Sequence, residues 1–230
     1  MARVKICGIT NWQDAKAACD LGAAALGFNF YERSARVLAP SAAWKIISRL
    51  RDQVESVGVF VNWSAEAIIA LARALSLDAV QLHGDEPPGV VRECAKYFQG
   101  TKAFRVGPGF QLNKLRLYSA ASAFLFDGAG TGQYGGTGKR ADWSLARRAA
   151  KSHRIILAGG LTAENVGEAI RFVQPYAVDV ASGVESRPGK KDRGKLRAFF
   201  AEVERANRDL KSSAKASKKI VESTGPPTHR

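Results

Sequence analysis

The sequence predicts an α/β protein that folds as a single (β/α)8 TIM barrel, followed by a basic, disordered C-terminal tail. Short apolar runs rich in β-branched and aromatic residues recur at intervals of roughly 20 to 30 residues. A helical pattern follows each run, and eight such units fill the first 207 residues of the 230-residue chain. Eight βα units in about 200 residues match the short end of the size range of this fold.

The strands are predicted where the apolar runs are shortest and most β-rich. They are expected at residues 4–7, 25–28, 56–60, 79–82, 102–105, 123–126, 155–158 and 177–180. In the first strand Lys5 and Cys7 share one face, because side chains alternate along a strand. We therefore expect both to point into the barrel and Ile6 to face the helices.

The helices are predicted where apolar residues recur every three or four positions. They are expected at residues 12–20, 41–50, 65–74, 88–97, 111–119, 143–151, 163–172 and 192–207. The last is the clearest, with one apolar stripe formed by Leu196, Phe199, Phe200 and Val203. Three residues with side-chain oxygens are predicted N-caps: Ser41, Ser64 and Asp142.

An open, doubly wound sheet uses the same alternation and is the structural alternative. Such a sheet binds nucleotides through a glycine-rich fingerprint after its first strand. The stretch KICGIT is not a fingerprint of that kind. We therefore prefer the barrel, in which the active site lies where the strands end and the βα loops begin.

The composition is that of an ordinary globular protein. Hydrophobic residues make up 46% and charged residues 24%, which argues against a disordered chain, a collagen-like fibre and a disulfide scaffold. No apolar run approaches the ~20 residues that span a bilayer, and no secretory signal opens the chain. The three cysteines are scattered, without a CxxC pair, so we expect a cytoplasmic protein with no membrane partner.

The net charge of +14 has two sources. Residues 205–230 hold seven Lys or Arg and two Asp or Glu, and the rest of the chain still carries +9. We predict a catalytic barrel domain at residues 1–207 and a basic flexible tail at residues 208–230. A basic field attracts polyanions, but it equally attracts a small phosphorylated or carboxylated substrate, so charge alone does not predict a nucleic-acid partner.

Two strand ends carry candidate catalytic residues. Cys7 closes the first strand beside Lys5, where a thiol with a lowered pKa can act as a base or nucleophile. The structural alternative is a small core residue, which we expect Cys19 and Cys94 to be. Asp127 closes the sixth strand, and desolvation there would favour the protonated carboxyl that a general acid needs, unless it is an N-cap or loop residue. The glycine-rich loop behind it predicts a lid or substrate clamp.

The seventh and eighth strands end in glycines, at the place where barrels of this type commonly bind phosphate. The predicted phosphate-binding residues are Gly159, Gly160, Ser182 and Gly183. Glycines also end strands for reasons of turn geometry, which is the alternative. Lys190 and Lys191 follow, and we expect them in a solvated basic loop.

Three further residues are predicted to bind substrate. Arg36, in the loop after the second strand, would hold a planar carboxylate bidentately unless it is an ordinary surface arginine. His83, after the fourth strand, would assist proton transfer or hold a hydroxyl. Asp179, inside the eighth strand, points in or out depending on register. The three histidines lie far apart and no cluster has metal-ligand spacing, so no metal site is expected.

These side chains together favour one kind of chemistry. A thiol, a carboxylic acid, an arginine and a phosphate cradle, without a cofactor motif, suit proton transfer on a phosphorylated substrate that also bears a carboxylate. Isomerisation fits this set better than redox chemistry.

Several motifs also resemble one known family. In chain order they are VKICGIT, LGFNFYERSAR, VGVFVN, VQLHGDE, YGGTGKRADW, LAGGLTAENV and VDVASGVESRPGKKD. From Val4 to about Asp192 they resemble the phosphoribosylanthranilate isomerases of tryptophan biosynthesis. KICGIT and the SGVE..PGKKD stretch are specific to that family among phosphate-binding barrels, and the likeness covers nearly the whole chain except the tail.

The resemblance implies a single barrel that needs no cofactor. It implies an Amadori rearrangement of N-(5-phosphoribosyl)anthranilate to 1-(o-carboxyphenylamino)-1-deoxyribulose 5-phosphate. Cys7 would be the general base and Asp127 the general acid, while Arg36 would bind the anthranilate carboxylate. The family's phosphate loops fall on the glycines and serine already named. We also expect Lys5 to help keep the thiolate charged.

Three alternatives remain beside this interpretation. Indole-3-glycerol-phosphate synthase, on the same barrel, needs a catalytic lysine and glutamates at strand ends, and this chain offers mainly Lys5. A binding or scaffold protein would use the basic tail on nucleic acid or an acidic partner, but Cys7 and Asp127 argue against lost catalysis. A bifunctional histidine and tryptophan isomerase normally has aspartate where Cys7 stands. The sequence leaves both a monomer and a homodimer open.

Overall fold

The computed structural model describes residues 1–50, 52–128 and 142–223, the last ten of them by backbone only. Eight parallel strands form a closed barrel in which each strand pairs with its neighbours in the chain and the eighth pairs with the first. The prediction of a (β/α)8 barrel is therefore confirmed, and the open sheet is excluded.

The eight strands lie where the apolar runs predict them, to within a few residues. Their bounds are β1 (Arg3–Cys7), β2 (Ala25–Asn29), β3 (Glu55–Phe60), β4 (Ala79–Leu82), β5 (Gln99–Val106), β6 (Ala123–Gly128), β7 (Ile155–Leu157) and β8 (Ala177–Val180). The residues with candidate functions therefore all reach the same end of the barrel, because parallel strands share one carboxyl edge.

Seven α-helices of the described residues cover the barrel. They are α1 (Trp12–Asp20), α2 (Pro40–Leu50), α3 (Ala65–Ala74), α4 (Pro88–Cys94), α5 (Trp143–Ala150), α6 (Ala163–Val173) and α7 (Arg193–Ser223). A 3-10 helix (Leu112–Tyr118) stands between β5 and β6. After β8 come a 3-10 turn (Ser182–Val184) and an antiparallel hairpin of β9 (Glu185–Arg187) and β10 (Lys190–Lys191).

The sequence pattern was wrong about two details of these helices. The helix expected at 111–119 is a 3-10 helix, and its apolar residues Leu112, Leu115 and Tyr118 are three positions apart, which is the period of that helix. Ser41 is not an N-cap, because α2 already begins at Pro40. A proline fits the first position of a helix, where the missing N–H has no partner to lose.

Two predicted caps and the last helix agree with the structure. The side chains of Ser64 and Asp142 accept hydrogen bonds from backbone N–H groups in the first turns of α3 and α5. The apolar stripe of α7 is buried as expected. The helix continues past residue 207 to Ser223. The boundary at 207 and the flexibility of the tail stay predictions, and residues 224–230 lie outside the described part.

The inside of the barrel is filled mostly by small or polar side chains, with Leu125 and Ile156 among them, while most of the large apolar residues lie between strands and helices. Ala25, Val57 and Ala79 form one inner cluster. Ile6 is fully buried in the outer core, and Lys5 is buried inside the barrel, so the predicted alternation along β1 is confirmed. Among the described ranges, no helix is long and apolar enough to cross a membrane.

Candidate active site

A cavity of about 550 Å³ opens at the carboxyl ends of the strands. All nine predicted site residues line it: Cys7, Arg36, His83, Asp127, Gly159, Gly160, Asp179, Ser182 and Gly183. They come from six different strands or the loops behind them. The fold thus gathers into one site residues that are up to 176 positions apart in the chain.

The thiol of Cys7 stands beside a buried ion pair. Lys5 Nζ donates a hydrogen bond of 2.8 Å to Asp179 Oδ1, and both side chains are less than a tenth exposed. Lys5 is also within hydrogen-bonding reach of the thiol. Asp179 is opposite Lys5 in the pairing of β1 with β8, so the open question of its direction is settled: it points inward.

Burial controls the charge state of the thiol. It raises the pKa of Cys7 above the ordinary value, and the opposing attraction of Lys5 does not outweigh it. The expected lowering of this pKa is therefore wrong. Burial would also lower the pKa of Lys5, but the charge of Asp179 and the thiol of Cys7 hold that pKa above its usual value, so the ammonium form persists.

Asp127 is buried at the end of β6, beside an imidazole. Its Oδ1 accepts a 2.8 Å hydrogen bond from the N–H of Gly128. Its Oδ2 lies 3.4 Å from His83 Nε2, and the amide nitrogen of Gln81 lies 2.8 Å from His83 Nδ1. The carboxyl group therefore reaches the cavity with one oxygen fixed by the backbone. The predicted glycine-rich lid falls on residues 129–141, outside the described part.

The loops after β7 and β8 approach each other closely. Gly159 and Gly160 both have left-handed backbone angles, with φ of 83° and 62°. A Cβ on Gly183 would overlap the carbonyl oxygen of Leu161. Only glycine leaves room for this contact, so the two backbones come together at the place where the sequence predicts phosphate.

Arg36 lines the cavity but is already paired. Its Nε and Nη2 donate to the two carboxylate oxygens of Glu185, at 2.9 and 2.7 Å. Glu185 also accepts from Lys191 Nζ at 2.9 Å. Sequence reasoning missed both partners. The expectation of a solvated loop is right for Lys190, which is exposed, but wrong for Lys191, whose side chain is fully buried.

A signal for the missed pair exists in the sequence. Glu185 is the single carboxylate in the otherwise basic stretch ESRPGKK. Burial would raise the pKa of Glu185, but Arg36 and Lys191 together hold it below its ordinary value.

Within residues 1–50, 52–128 and 142–223, no three His, Cys, Asp or Glu side chains are grouped so as to hold a metal ion.

Fold and cavity together define a (β/α)8-barrel protein with its site at the carboxyl ends of the strands. The sequence model of the N-(5'phosphoribosyl)anthranilate (PRA) isomerase family matches residues 4–202. The isomerase of that name from Trichlorobacter lovleyi is 48% identical over 207 residues, which are 90% of this chain and 100% of the relative.

Solved structures agree with this match. The phosphoribosyl anthranilate isomerase of Thermotoga maritima is 40% identical, with a TM-score of 0.82 over 89% of this chain and 99% of its own. A phosphoribosyl anthranilate isomerase in complex with reduced 1-(o-carboxyphenylamino)-1-deoxyribulose 5-phosphate is 40% identical, with a TM-score of 0.79 over the same shares. The chain belongs to the N-(5'-phosphoribosyl)anthranilate isomerase family, whose members are aldose–ketose isomerases of tryptophan biosynthesis. The predicted resemblance is confirmed.

Proposed function

We propose that this chain converts N-(5-phosphoribosyl)anthranilate to 1-(o-carboxyphenylamino)-1-deoxyribulose 5-phosphate, with Asp127 as general acid and Cys7 as general base. One observation carries the proposal: a thiol and a buried carboxyl group line the same cavity as the arginine and the glycine loops that suit the two anionic ends of this substrate. The relative that binds a reduced form of the product supports the same ligand class.

The positions around the barrel suit this substrate. Its phosphate would rest on the loops after β7 and β8, at Gly159, Gly160, Ser182 and Gly183, and its anthranilate carboxylate would meet Arg36 after β2. The ribose then lies between β1 and β6, which are three strands apart in the closed barrel. Cys7 and Asp127 therefore approach the sugar from different sides, as an acid and a base acting on one ring must.

The first step uses the acid. Asp127, protonated, gives its proton to the furanose ring oxygen as the bond from that oxygen to C1 breaks. The nitrogen lone pair forms the C1=N double bond of a protonated imine. We propose that His83 and Asp179 hold the ribose hydroxyls, because both line the cavity beside the acid and the base.

The second step uses the base. Cys7, as thiolate, removes the proton from C2, and the electron pair of that bond moves to form C1=C2 while the imine nitrogen becomes neutral. A proton then passes from the C2 hydroxyl to C1, which gives the aminoketose. Burial raises the pKa of Cys7, so the positive charges of Lys5 and of the imine serve to favour the thiolate when it is needed.

Every proton in this sequence is held by a side chain or by the substrate, so we propose that no cofactor takes part. The three cysteines are free thiols, which suits the cytoplasm that the sequence predicts. The choice between a monomer and a homodimer, and the absence of a nucleic-acid partner, stay predictions.

The test is the loss of anthranilate fluorescence from freshly prepared phosphoribosylanthranilate. Cys7→Ala and Asp127→Asn should each lower kcat by about 100- to 10,000-fold, the usual contribution of a general acid or base. The matched controls are Cys19→Ala, which removes a half-buried thiol from α1, and Asp85→Asn, which removes a carboxylate outside the cavity. Both controls should keep wild-type rates.

Each outcome has a clear meaning. A fast rate in Cys7→Ala would move the base to another residue, with His83 the next candidate. No turnover by the folded wild-type protein would overturn the proposed reaction.

A further inference from the structure

Two buried charges and a half-buried arginine form a chain at the mouth of the barrel. Arg36, Glu185 and Lys191 have side chains that are 15%, 4% and 0% exposed. Glu185 accepts two hydrogen bonds from the guanidinium and one from the ammonium group. The catalytic steps above use only the first of these residues. Glu185 partly neutralises Arg36, the residue proposed to bind the substrate carboxylate. The role of Glu185 beside Arg36 therefore has to be explained.

The contact with Glu185 determines which edge of the Arg36 guanidinium is free to bind another carboxylate. It occupies Nε and one hydrogen of Nη2, which is the side edge of the fork. A guanidinium has five N–H donors, so Nη1 and the second hydrogen of Nη2 still present an end edge that can take a carboxylate bidentately. Among the residues that the structure describes, Nη1 has no hydrogen-bond partner.

The stem of Arg36 is held as well. A Cβ on Gly8 would overlap Arg36 Cδ, and Gly8 has a left-handed φ of 75°. The arginine therefore lies directly against the backbone that follows Cys7. The guanidinium is therefore held at two points, by its stem against Gly8 and by its side edge on Glu185.

Lys191 connects this arrangement to the base. Its Nζ donates to the carbonyl of Cys7 at 2.6 Å, to that of Ala181 at 3.3 Å, and to Glu185 Oε1 at 2.9 Å. Three acceptors match the three donors of an ammonium group. Burial lowers the pKa of Lys191, and the carboxylate of Glu185 opposes that shift. When Lys191 is charged, the three residues carry a net charge of +1, whereas Arg36 and Glu185 alone carry none.

We propose that Glu185 and Lys191 are positioning residues of this isomerase: Glu185 turns the end edge of Arg36 toward the substrate carboxylate, and Lys191 keeps the cluster positive while holding the Cys7 backbone in place. This inference rests on the proposed function, because it assigns the carboxylate end of that substrate to a built receptor. It adds two residues that touch no substrate atom themselves.

The experiment compares two substrates on the same protein samples. One is phosphoribosylanthranilate, and the other is the analogue made by condensing ribose 5-phosphate with aniline, which lacks the carboxylate. In Glu185→Gln the KM for the anthranilate substrate should rise about 10- to 100-fold, the range for a lost charge-assisted anchor. Turnover of the aniline analogue should change less than about threefold, and it also reports the amount of folded enzyme.

Two further variants sharpen the result. Glu86→Gln removes the carboxylate from the other buried Lys–Glu pair, with Lys102, and should leave the ratio of the two KM values unchanged. Arg36→Lys should lose as much carboxylate preference as Glu185→Gln. The double variant should lose no more than either single one, because both act through one interaction.

The outcomes separate the inference from the function. If the wild type turns over neither substrate, the proposed function fails. If the wild type is active but Glu185→Gln loses both substrates equally, or if its effect adds to that of Arg36→Lys, Glu185 is only structural and the inference fails.

Discussion

Two buried Lys–Glu pairs stand on different sides of this barrel, and they have nearly the same geometry. In both, the ammonium nitrogen lies 2.9 Å from a carboxylate oxygen and both side chains are at most 4% exposed. In both, the lysine also donates to backbone carbonyls. They differ in the other hydrogen bonds that the carboxylate accepts.

The other contacts of the Lys102–Glu86 pair are hydrogen bonds to the backbone. Lys102 holds the carbonyls of Leu82, Gly84 and Ala103, while Glu86 accepts from the N–H groups of Asn62 and Gly84. These contacts fix the loop after β4, and neither residue lines the large cavity. In the pair of Lys191 and Glu185, the second carboxylate oxygen of Glu185 instead accepts a hydrogen bond from Arg36, and Arg36 does line the cavity.

A buried ion pair is therefore no guide to function by itself. Removing the lysine would leave Glu86 as an uncompensated buried charge, which costs about 3–5 kcal/mol, whereas Glu185 would keep Arg36 as a counter-ion. The two pairs differ in the further partner of the carboxylate. For Glu86 this partner is the backbone, so losing the pair disturbs a loop. For Glu185 it is Arg36, so losing the pair disturbs a side chain that lines the cavity.

The largest combined effect is expected for Lys191→Met. Glu185 would keep one counter-ion, but the Cys7 carbonyl would lose its donor. We expect a loss of about 2–3 kcal/mol in the free energy of unfolding, because the hydrogen bonds of a charged group are lost, together with a drop in kcat/KM of about tenfold or more for the folded fraction. Urea unfolding and the fluorescence assay measure the two effects. Normal kcat/KM would show that this pair resembles the other one.

Lys102→Met should destabilise the protein more than Lys191→Met, without a change in chemistry. Glu86 would be left buried with only backbone donors, so we expect a loss of about 3–5 kcal/mol in the free energy of unfolding. The kcat/KM of the folded fraction, measured well below the unfolding midpoint, should stay within about twofold of wild type. A large loss of kcat/KM in a stably folded Lys102→Met variant would contradict the claim that only the Lys191–Glu185 pair acts on the site.

Gly183→Ala should act on the phosphate end alone. The added Cβ would overlap the carbonyl oxygen of Leu161, so the two phosphate loops must move apart. We expect KM to rise about tenfold, as for the loss of one or two hydrogen bonds to a charged group. Because both substrates carry the phosphate, the anthranilate and aniline compounds should suffer equally, in contrast to Glu185→Gln.

The smallest effect on turnover is expected for Lys5→Met, and it is a shift in pH dependence. The variant also leaves Asp179 buried without its partner and is therefore less stable, so the profile is measured on the folded fraction. Lys5 opposes the burial that raises the pKa of Cys7, so its removal should raise that pKa further. Since the base acts as thiolate, kcat/KM rises as pH rises through this pKa. The rising limb of the profile should therefore move to higher pH, by about one unit for a loss of about 1.4 kcal/mol. An unmoved limb would mean that the base is not this thiol.

The sequence contained most of the fold and most of the site. Short β-rich runs and regular spacing are enough to locate eight strands, because a barrel strand is buried on both faces. Cys7 and Asp127 were identifiable because they directly follow such runs. Lys191 was not, since a lysine in a basic loop is normally solvated, and its burial depends on a two-residue strand, β10, that no periodicity reveals.

The pKa of Cys7 was also beyond sequence reasoning. The neighbouring Lys5 predicts a lowered value, but the degree of burial, which depends on all eight strands, decides the sign. Likewise Arg36 was found as a candidate carboxylate receptor, whereas the partner that orients it lies 149 positions away.

The most direct test is a crystal structure of this protein with reduced 1-(o-carboxyphenylamino)-1-deoxyribulose 5-phosphate. We expect the phosphate at Gly160 and Gly183, the carboxylate on the end edge of Arg36 with Glu185 still bound to its side edge, and the C2 and C4 oxygen-bearing carbons within about 4 Å of Cys7 and Asp127 respectively. A ligand bound with its carboxylate away from Arg36, or with its sugar out of reach of both Cys7 and Asp127, would contradict the proposed mechanism.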